Sequence, residues 1–194
     1  YHVQAEPLIM FMIRKATIVS RIEQHKLKAE ELFPAISLVV SGGHTQLIFM
    51  KGIGKYEIIG ETRDDAAGEC FDKAAKILGL GYPGGPEIAR IAKSYKPKAI
   101  SYKLNLPRPM INTKDFDFSF SGLKTAVLYT VRDYQNRTTH SSMVLGKEFV
   151  SQMCFEVQQA IIDVLIKKTI TAAQHYNVKT IILGGGVSAN QELR

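Results

Sequence analysis

The chain has no tryptophan, only two cysteines, and no uninterrupted apolar run of about 18 residues. Cys70 and Cys154 fit neither a metal-ligand spacing nor a disulfide framework, so we expect two buried thiols in a reducing compartment. The missing apolar run argues against a membrane span, and the N-terminal residues lack the basic-then-apolar order of a secretory signal. These absences predict a soluble, cytoplasmic protein.

Catalytic motifs are scarce as well. The five histidines, at positions 2, 25, 44, 140 and 175, form no H-x-x-x-H or H-E-x-x-H pair, so zinc-protease chemistry has no support. Neither cysteine has a local basic partner that would mark it as a nucleophile. The sequence alone therefore names no catalytic residue.

The chain carries an excess of positive charge. Its 25 Lys and Arg outnumber 18 Asp and Glu, for a net charge of +7, and this balance favours polyanionic partners such as nucleic acid or phosphorylated ligands. The densest basic run, "KSYKPKAISYK" at 93–103, interleaves lysine with two tyrosines. It is either a phosphate-tracking surface with stacking rings or a solvated loop.

From Pro34 onward the apolar pattern predicts strands and then helices. Short β-rich runs at 35–40, 45–51 and 56–62, joined by glycine-containing turns, predict an antiparallel meander. Asp64 and Asp65 open a helical stretch where the helix dipole favours acids, and Pro86 suits the first turn of the next helix. Ser121 is expected to cap a third helix, and a long fourth helix is expected over about 146–176.

The chain ends on a strand, a triple-glycine turn and the start of another helix. The strand is predicted from Thr180 to Leu183, and Ser188 and Gln191 have the spacing of a capping box. Backbone donors at such a helix start favour phosphate or another anion. The turn lacks both the Rossmann fingerprint and the P-loop lysine, so we expect nucleotide or phosphate binding of another kind in a mixed α/β fold.

The earlier turn, "SGGH" at 41–44, is a second candidate. Gly42 and Gly43 permit positive backbone torsions and leave the peptide N–H groups open to a ligand, although a plain hairpin turn uses the same residues. Asp72 is either a cleft-facing carboxylate or an exposed acid. Gly85, in "YPGGP", offers close backbone approach to a ligand or simply belongs to a compact turn between helices.

Four stretches together resemble one enzyme family. "LVVSGGHTQLI", "GETRDDAAGECFDKAAKILGLGYPGGPEIARIA", "FDFSFSGLKTAVLYTVRD" and "GGGVSANQELR", in this order and spacing, resemble the tRNA adenosine threonylcarbamoyltransferases, the TsaD family formerly labelled O-sialoglycoprotein endopeptidases. The resemblance runs from about Phe33 to Arg194. It implies an ASKHA fold, the architecture of actin, sugar kinases and Hsp70, with ribonuclease H-like lobes that grip a nucleotide through glycine turns.

The resemblance also implies a reaction and a site. The family transfers the threonylcarbamoyl group from threonylcarbamoyl-adenylate to the exocyclic amine of the adenosine beside the anticodon, in tRNAs that read codons beginning with A. Its paralogous ASKHA protein and small ATPase are expected partners. Matched position by position, the adenylate contacts fall on Val39, Val40, Ser41, Gly42, Gly43, Asp72, Gly85 and Asn190. Backbone donors of the glycine turn would meet phosphate or carbamoyl oxygens, while Asp72 and Asn190 would bind ribose or base.

The chain departs from the family where a metal is expected. The family holds one divalent ion, iron or zinc, with an H-x-x-x-H pair and a C-terminal aspartate. Here Ala16 and Ser20 stand at the histidine positions, and the aspartate would lie past Arg194. We therefore expect residues 1–34 to be a poorly matching remnant of the first lobe, and residues 35–194 to be a second-lobe core with inserted helices that lacks its C-terminal end.

Three functions stay open at this point. The chain is a fragment of an active acyltransferase, or a metal-free relative that binds nucleotide or acts as a scaffold, or an ASKHA small-molecule kinase. Retention of every adenylate contact argues against a pure scaffold. No cluster of a base and magnesium-binding acids supports a kinase.

Overall fold

A mixed five-stranded sheet is the centre of the fold. The computed structural model describes residues 9–13, 32–96, 104–137, 145–178 and 180–194. The strands are β1 (Ile9–Ile13), β2 (Ala35–Val40), β3 (Thr45–Gly52), β4 (Lys55–Glu61) and β5 (Thr180–Gly184). They lie in the order β1-β5-β2-β3-β4. β5 runs parallel to both β1 and β2, while β2, β3 and β4 form the antiparallel meander that the sequence predicted.

Helices pack against one face of this sheet. They are α1 (Ala67–Ile77), α2 (Gly84–Ser94), α3 (Ser121–Arg137) and α4 (Lys147–His175). Alternate residues of β2, namely Ile36, Leu38 and Val40, point toward the helices and are almost fully buried with Phe71 and Ile161. Burial of each such side chain contributes about 1.5–3 kcal/mol, so this layer stabilises the packing of the helices on the sheet.

The long helix α4 lies within the core. Among the described residues it is the one helix long and apolar enough to pass a membrane-span test by length and composition. Most of its apolar window is buried within the fold, where α4 packs against α2 and β2. A central helix of a globular core has these same properties.

The two cysteines are buried, as predicted. Cys70 on α1 and Cys154 on α4 are both fully buried and unpaired. Burial raises the pKa of each thiol to about 12, so neither is a thiolate near neutral pH. The predicted boundary at residue 34 stays a prediction; β1 lies in the same sheet as β2 and β5.

The helix predicted to open at Asp64 and Asp65 begins instead at Ala67. Two other predicted helix starts are also wrong. Ser121 is the first residue of α3 rather than its cap, and its hydroxyl donates to the Asp64 carboxylate at 2.6 Å. The expected capping box at Ser188 does not form, because the Ser188 hydroxyl donates backward to the Gly185 carbonyl at 2.6 Å. A short 3-10 helix, Gly186–Ala189, occupies this position.

Candidate functional site

The two glycine turns meet at one edge of the sheet. β2 and β5 are parallel neighbours, so the residues after Val40 and Gly184 lie side by side at their carboxyl ends. Gly185 has a φ of +91°, and a Cβ there would overlap the carbonyl of Val40. Only glycine fits this contact. Ligands of open α/β sheets bind outside the carboxyl ends of parallel strands, which makes this edge the candidate site.

The turn at residues 41–44 is held by its serine. The Ser41 hydroxyl oxygen accepts hydrogen bonds from the N–H groups of Gly43 at 3.3 Å and His44 at 3.0 Å. Neither Gly42 nor Gly43 adopts a positive φ, so the positive torsions anticipated for them are not used. Both glycines face open space instead, and the Gly42 N–H has no acceptor among the described residues.

The start of α1 packs directly on this turn. The Gly68 N–H donates to the Ser41 carbonyl at 3.1 Å, and a Cβ on Gly68 would stand 2.5 Å from that oxygen. The Ala67 N–H donates to the buried Thr45 hydroxyl at 2.8 Å. Gly68 was not among the predicted site residues. It could have been found as a glycine in the first turn of a helix, a position where glycine indicates that another backbone segment lies close.

A pocket of about 840 Å³ lies beside the two turns. Of the predicted site residues, Gly42, Asp72, Gly85 and Asn190 line it. Val39, Val40, Ser41 and Gly43 are outside its lining. Val40 is fully buried, and its carbonyl lies against Gly185, so the end of β2 supports the pocket from behind.

Asp72 connects α1 to α2. Its Oδ1 accepts a hydrogen bond from the Gly84 N–H at 2.7 Å, and it caps α2 because Pro83 has no side-chain donor or acceptor. Gly84 is also needed for packing, since a Cβ there would stand 2.6 Å from that of Ala75. One carboxylate oxygen therefore positions the Gly85 backbone, while Oδ2 has no partner among the described residues.

Asn190 is oriented by α4. Its side-chain Nδ2 donates to Gln158 Oε1 at 2.9 Å, and its Oδ1 accepts from the Glu192 N–H at 2.9 Å. Gln158 also lines the pocket, although it is only 7% exposed. Gln158 was not among the predicted site residues. It could have been found as a polar residue on the apolar face of a long helix, because a buried polar group needs a hydrogen-bond partner.

The remaining walls suit a flat, partly charged ligand. Four aromatic side chains line the pocket, from Phe71, Tyr82, Tyr95 and Phe155. Arg90 and Lys93 supply positive charge, although the Arg90 guanidinium pairs with Glu87 at 2.8 Å. A volume of this size with apolar walls and a few convergent polar groups is typical of small-molecule sites.

The described residues do not fit a metal centre. They contain no group of three or more His, Cys, Asp and Glu side chains able to hold an ion. His44 is exposed on the serine turn, and His175 packs edge-on against Phe116 and Tyr176. The expectation for Ala16 and Ser20 lies outside the described residues.

Comparisons with known proteins agree with the resemblance. Residues 15–194 match the profile of the family described as TsaD, tRNA N6-adenosine threonylcarbamoyltransferase. The chain is 52% identical over 162 residues to a protein of that name from Herminiimonas arsenicoxydans, covering 84% of this chain and 44% of the relative. A relative from Anoxybacillus flavithermus is 48% identical over 177 residues, which is 91% of this chain and 48% of the relative. The chain spans about half the length of the curated relatives it matches.

Proposed function

Because this chain belongs to the tRNA N6-adenosine threonylcarbamoyltransferase family, we propose that it takes part in threonylcarbamoyl transfer from threonylcarbamoyl-adenylate to tRNA. The acceptor is the exocyclic amine of the adenosine next to the anticodon, in tRNAs reading codons that begin with A. One observation carries the proposal: Gly42, Asp72, Gly85 and Asn190, which come from four separate parts of the chain, line a single pocket.

The proposed reaction is an acyl transfer. The bond between the carbamoyl carbon and the phosphate oxygen breaks, a bond to the adenosine nitrogen forms, AMP leaves, and the amine loses a proton. The pocket contributes by holding the mixed anhydride so that its carbonyl carbon faces the amine. Such positioning supplies several kcal/mol of a transfer barrier, up to roughly 7–11 kcal/mol in well-oriented intramolecular reactions.

Each of the four predicted residues that line the pocket has a role that its surroundings support. The Gly42 N–H, without an acceptor among the described residues, would donate to a phosphate or carbamoyl oxygen. Asp72 Oδ2 would accept from a ribose hydroxyl, and Gly85 would let the ligand approach the main chain. Asn190 has one N–H and one lone pair left for the ribose or base.

The wider context follows the family. Members of the family generally use a metal ion, for which iron or zinc is proposed, and the described residues contain no group of three or more His, Cys, Asp and Glu side chains able to hold it. A paralogous ASKHA protein and a small ATPase are the proposed partner subunits, and the cytoplasm is the proposed location. The net charge of +7 favours a polyanionic partner such as tRNA.

Calorimetric titration with AMP tests the pocket. We expect saturable binding that Ala89→Trp abolishes, because Ala89 lines the pocket and an indole would fill it. Ser94→Trp, an exposed position on the same helix outside the lining, is the matched control and should bind as wild type does. Equal AMP affinity in all three proteins would contradict the assignment of the pocket.

Transfer itself is measured with threonylcarbamoyl-adenylate and unmodified tRNA, in the presence of the proposed partner subunits. Modified adenosine in the tRNA, detected by mass spectrometry and lost in Ala89→Trp, is the expected result. AMP binding without transfer would favour the nucleotide-binding relative. Phosphorylation of a small molecule from ATP would favour the kinase.

A further inference from the structure

We propose that Tyr82 and Lys76 form a receptor for one unpaired RNA nucleotide, next to the adenylate pocket, with the base stacked on the tyrosine ring. This inference rests on the proposed function, and it assigns the place where the acceptor RNA meets this chain. It depends on the position of Tyr82 between two cavities and on the nearby Lys76, which has no ion pair among the described residues.

Tyr82 is displayed to solvent. It is 86% exposed, more than any other large hydrophobic side chain among the described residues. It lies in the linker between α1 and α2, immediately before Pro83. Because α2 begins at Gly84 and is capped by Asp72, the base of this linker is tied to α1. The exposed ring is thus carried by an anchored segment.

The same ring borders two cavities. Tyr82 lines the adenylate pocket and also a second cleft of about 290 Å³, which lies against α1. The second cleft is slightly smaller than the usual range for ligand sites, about 300–1,000 Å³, so it offers room for one small group beside the tyrosine ring. Asp72 lines both cavities as well, so they share a wall.

The charges around the second cleft leave one cation available. The Lys73 ammonium forms salt bridges with Asp65 at 2.6 Å and Glu69 at 2.8 Å. The Glu69 carboxylate is therefore also paired. Lys76, one turn further along α1, is exposed and has no ion pair among the described residues. A lysine beside an exposed aromatic ring is the combination that binds a phosphate and stacks its base.

Because the two cavities share a wall, a nucleotide bound at Tyr82 would lie close to the acyl donor. Group transfer requires the reacting atoms to come within about 3–3.5 Å of each other. A base stacked on Tyr82 would lie next to the pocket that holds the acyl donor. Stacking accepts an unpaired base of any sequence, and the exposed ring is open to a base turned out of a loop.

The test uses an anticodon stem-loop RNA that carries 2-aminopurine in place of the acceptor adenosine. With wild-type protein we expect saturable binding by anisotropy and quenching of the 2-aminopurine as it stacks. Tyr82→Ala should lose the quenching and weaken binding by roughly 5- to 100-fold, whereas Tyr82→Phe, which keeps the ring, should retain both. Unfolding midpoints of the variants, measured by circular dichroism, separate a lost contact from a lost fold.

Charge is tested in parallel. Lys76→Glu should weaken RNA binding and reduce its salt dependence while AMP affinity stays at the wild-type value, since Lys76 is outside the lining of the larger pocket. Lys55→Glu, at the exposed first residue of β4, is the matched control and should bind RNA as wild type does.

The outcomes distinguish this inference from the proposed function. Absence of RNA binding by wild type, or equal quenching with Tyr82→Ala and Tyr82→Phe, overturns the receptor while leaving AMP binding and transfer intact. Loss of partner-subunit association in Tyr82→Ala with unchanged RNA affinity also overturns it. Failure of wild type to bind AMP or transfer the acyl group counts against the proposed function instead.

Discussion

At the scale of single residues, Gly68 is more constrained than either glycine of the serine turn. A Cβ on Gly68 would meet the Ser41 carbonyl at 2.5 Å and the Gly42 Cα at 2.8 Å. Gly42 and Gly43 have no atom within 4 Å of an added Cβ. The turn therefore takes its place in the site from the helix behind it, while its own glycines keep the space in front open.

We predict that Gly68→Ala lowers the free energy of unfolding by about 1–3 kcal/mol, because the methyl group must push apart two backbone segments. Gly122→Ala, in the exposed first turn of α3 with open space around it, should be neutral or slightly stabilising. Urea unfolding followed by circular dichroism measures both. Equal midpoints in the two variants would show that α1 and the turn separate without cost.

At the scale of helices, three N-termini are closed by side chains from distant segments. Thr45 accepts from the first residue of α1, Asp72 accepts from the first residue of α2, and Asp64 accepts from residues at the start of α3. The local cap positions Ala66 and Pro83 provide no side-chain hydrogen bond. Each cap therefore fixes one element relative to another as well as ending a helix.

Asp64 makes the most contacts of the three. Its carboxylate accepts from the hydroxyls of Ser119 and Ser121, both at 2.6 Å, and from the N–H groups of Phe120 and Ser121 at 2.8 and 3.2 Å. Partial burial alone would raise the pKa of Asp64. The hydrogen bonds from Ser119, Ser121 and Phe120 outweigh burial, and the pKa lies below its ordinary value of 3.8.

We predict that Asp64→Asn lowers the free energy of unfolding at pH 7 by about 1 kcal/mol, since an amide turns one acceptor oxygen into a donor. A carboxyl whose pKa is depressed on folding stabilises above its unfolded pKa and loses that contribution as the pH falls through the folded pKa. The difference from wild type should therefore shrink below about pH 4.

Urea titrations at a series of pH values follow this difference. Asp133→Asn, an exposed acid on α3, is the control, and its offset from wild type should be small at every pH. An Asp64→Asn offset that stays constant from neutral to acid pH would refute the capping role.

At the scale of the whole molecule, a buried lysine attaches the irregular segment before α3 to the long helix α4. Lys168 is 2% exposed, and its ammonium donates to the Thr113 hydroxyl and the Asp115 carbonyl, both at 2.6 Å. Asp115 also pairs with Arg63, which pairs with Asp117 as well. This network extends from α4 to the segment that follows β4.

We predict that Lys168→Met lowers the free energy of unfolding by about 1–3 kcal/mol, because it leaves polar acceptors without their donor. Lys167→Met, the exposed neighbour on the same helix, should change it by no more than about 0.5 kcal/mol. Urea denaturation compares the two. Equal free energies of unfolding for the two variants would mean that the Thr113 and Asp115 acceptors are satisfied by water, with no loss of stability, once the ammonium is removed.

Much of the architecture was predictable because it depends on local pattern. Apolar alternation placed β2, β3 and β4 to within one residue, and the three-and-four spacing predicted 146–176 for a helix that spans Lys147–His175. The α/β fold class, that of the ASKHA family to which the chain belongs, is confirmed. The helix starts at Ser121 and Ser188 were wrong because their caps depend on partners that local spacing does not reveal.

By itself, the sequence determined the strands β2 to β5, the approximate extents of the helices, and which glycine turns are candidates for a ligand. Hydrophobic periodicity and turn chemistry depend on residues that are close to one another along the chain, so both can be read directly from the sequence. Only the tertiary structure decided that Gly68 must be glycine, that Asp64 caps α3, that Gln158 orients Asn190, and that Tyr82 stands between two cavities. Each of these is a contact between segments distant along the chain, and such contacts exist only once the sheet has aligned its strands and the helices have packed on it.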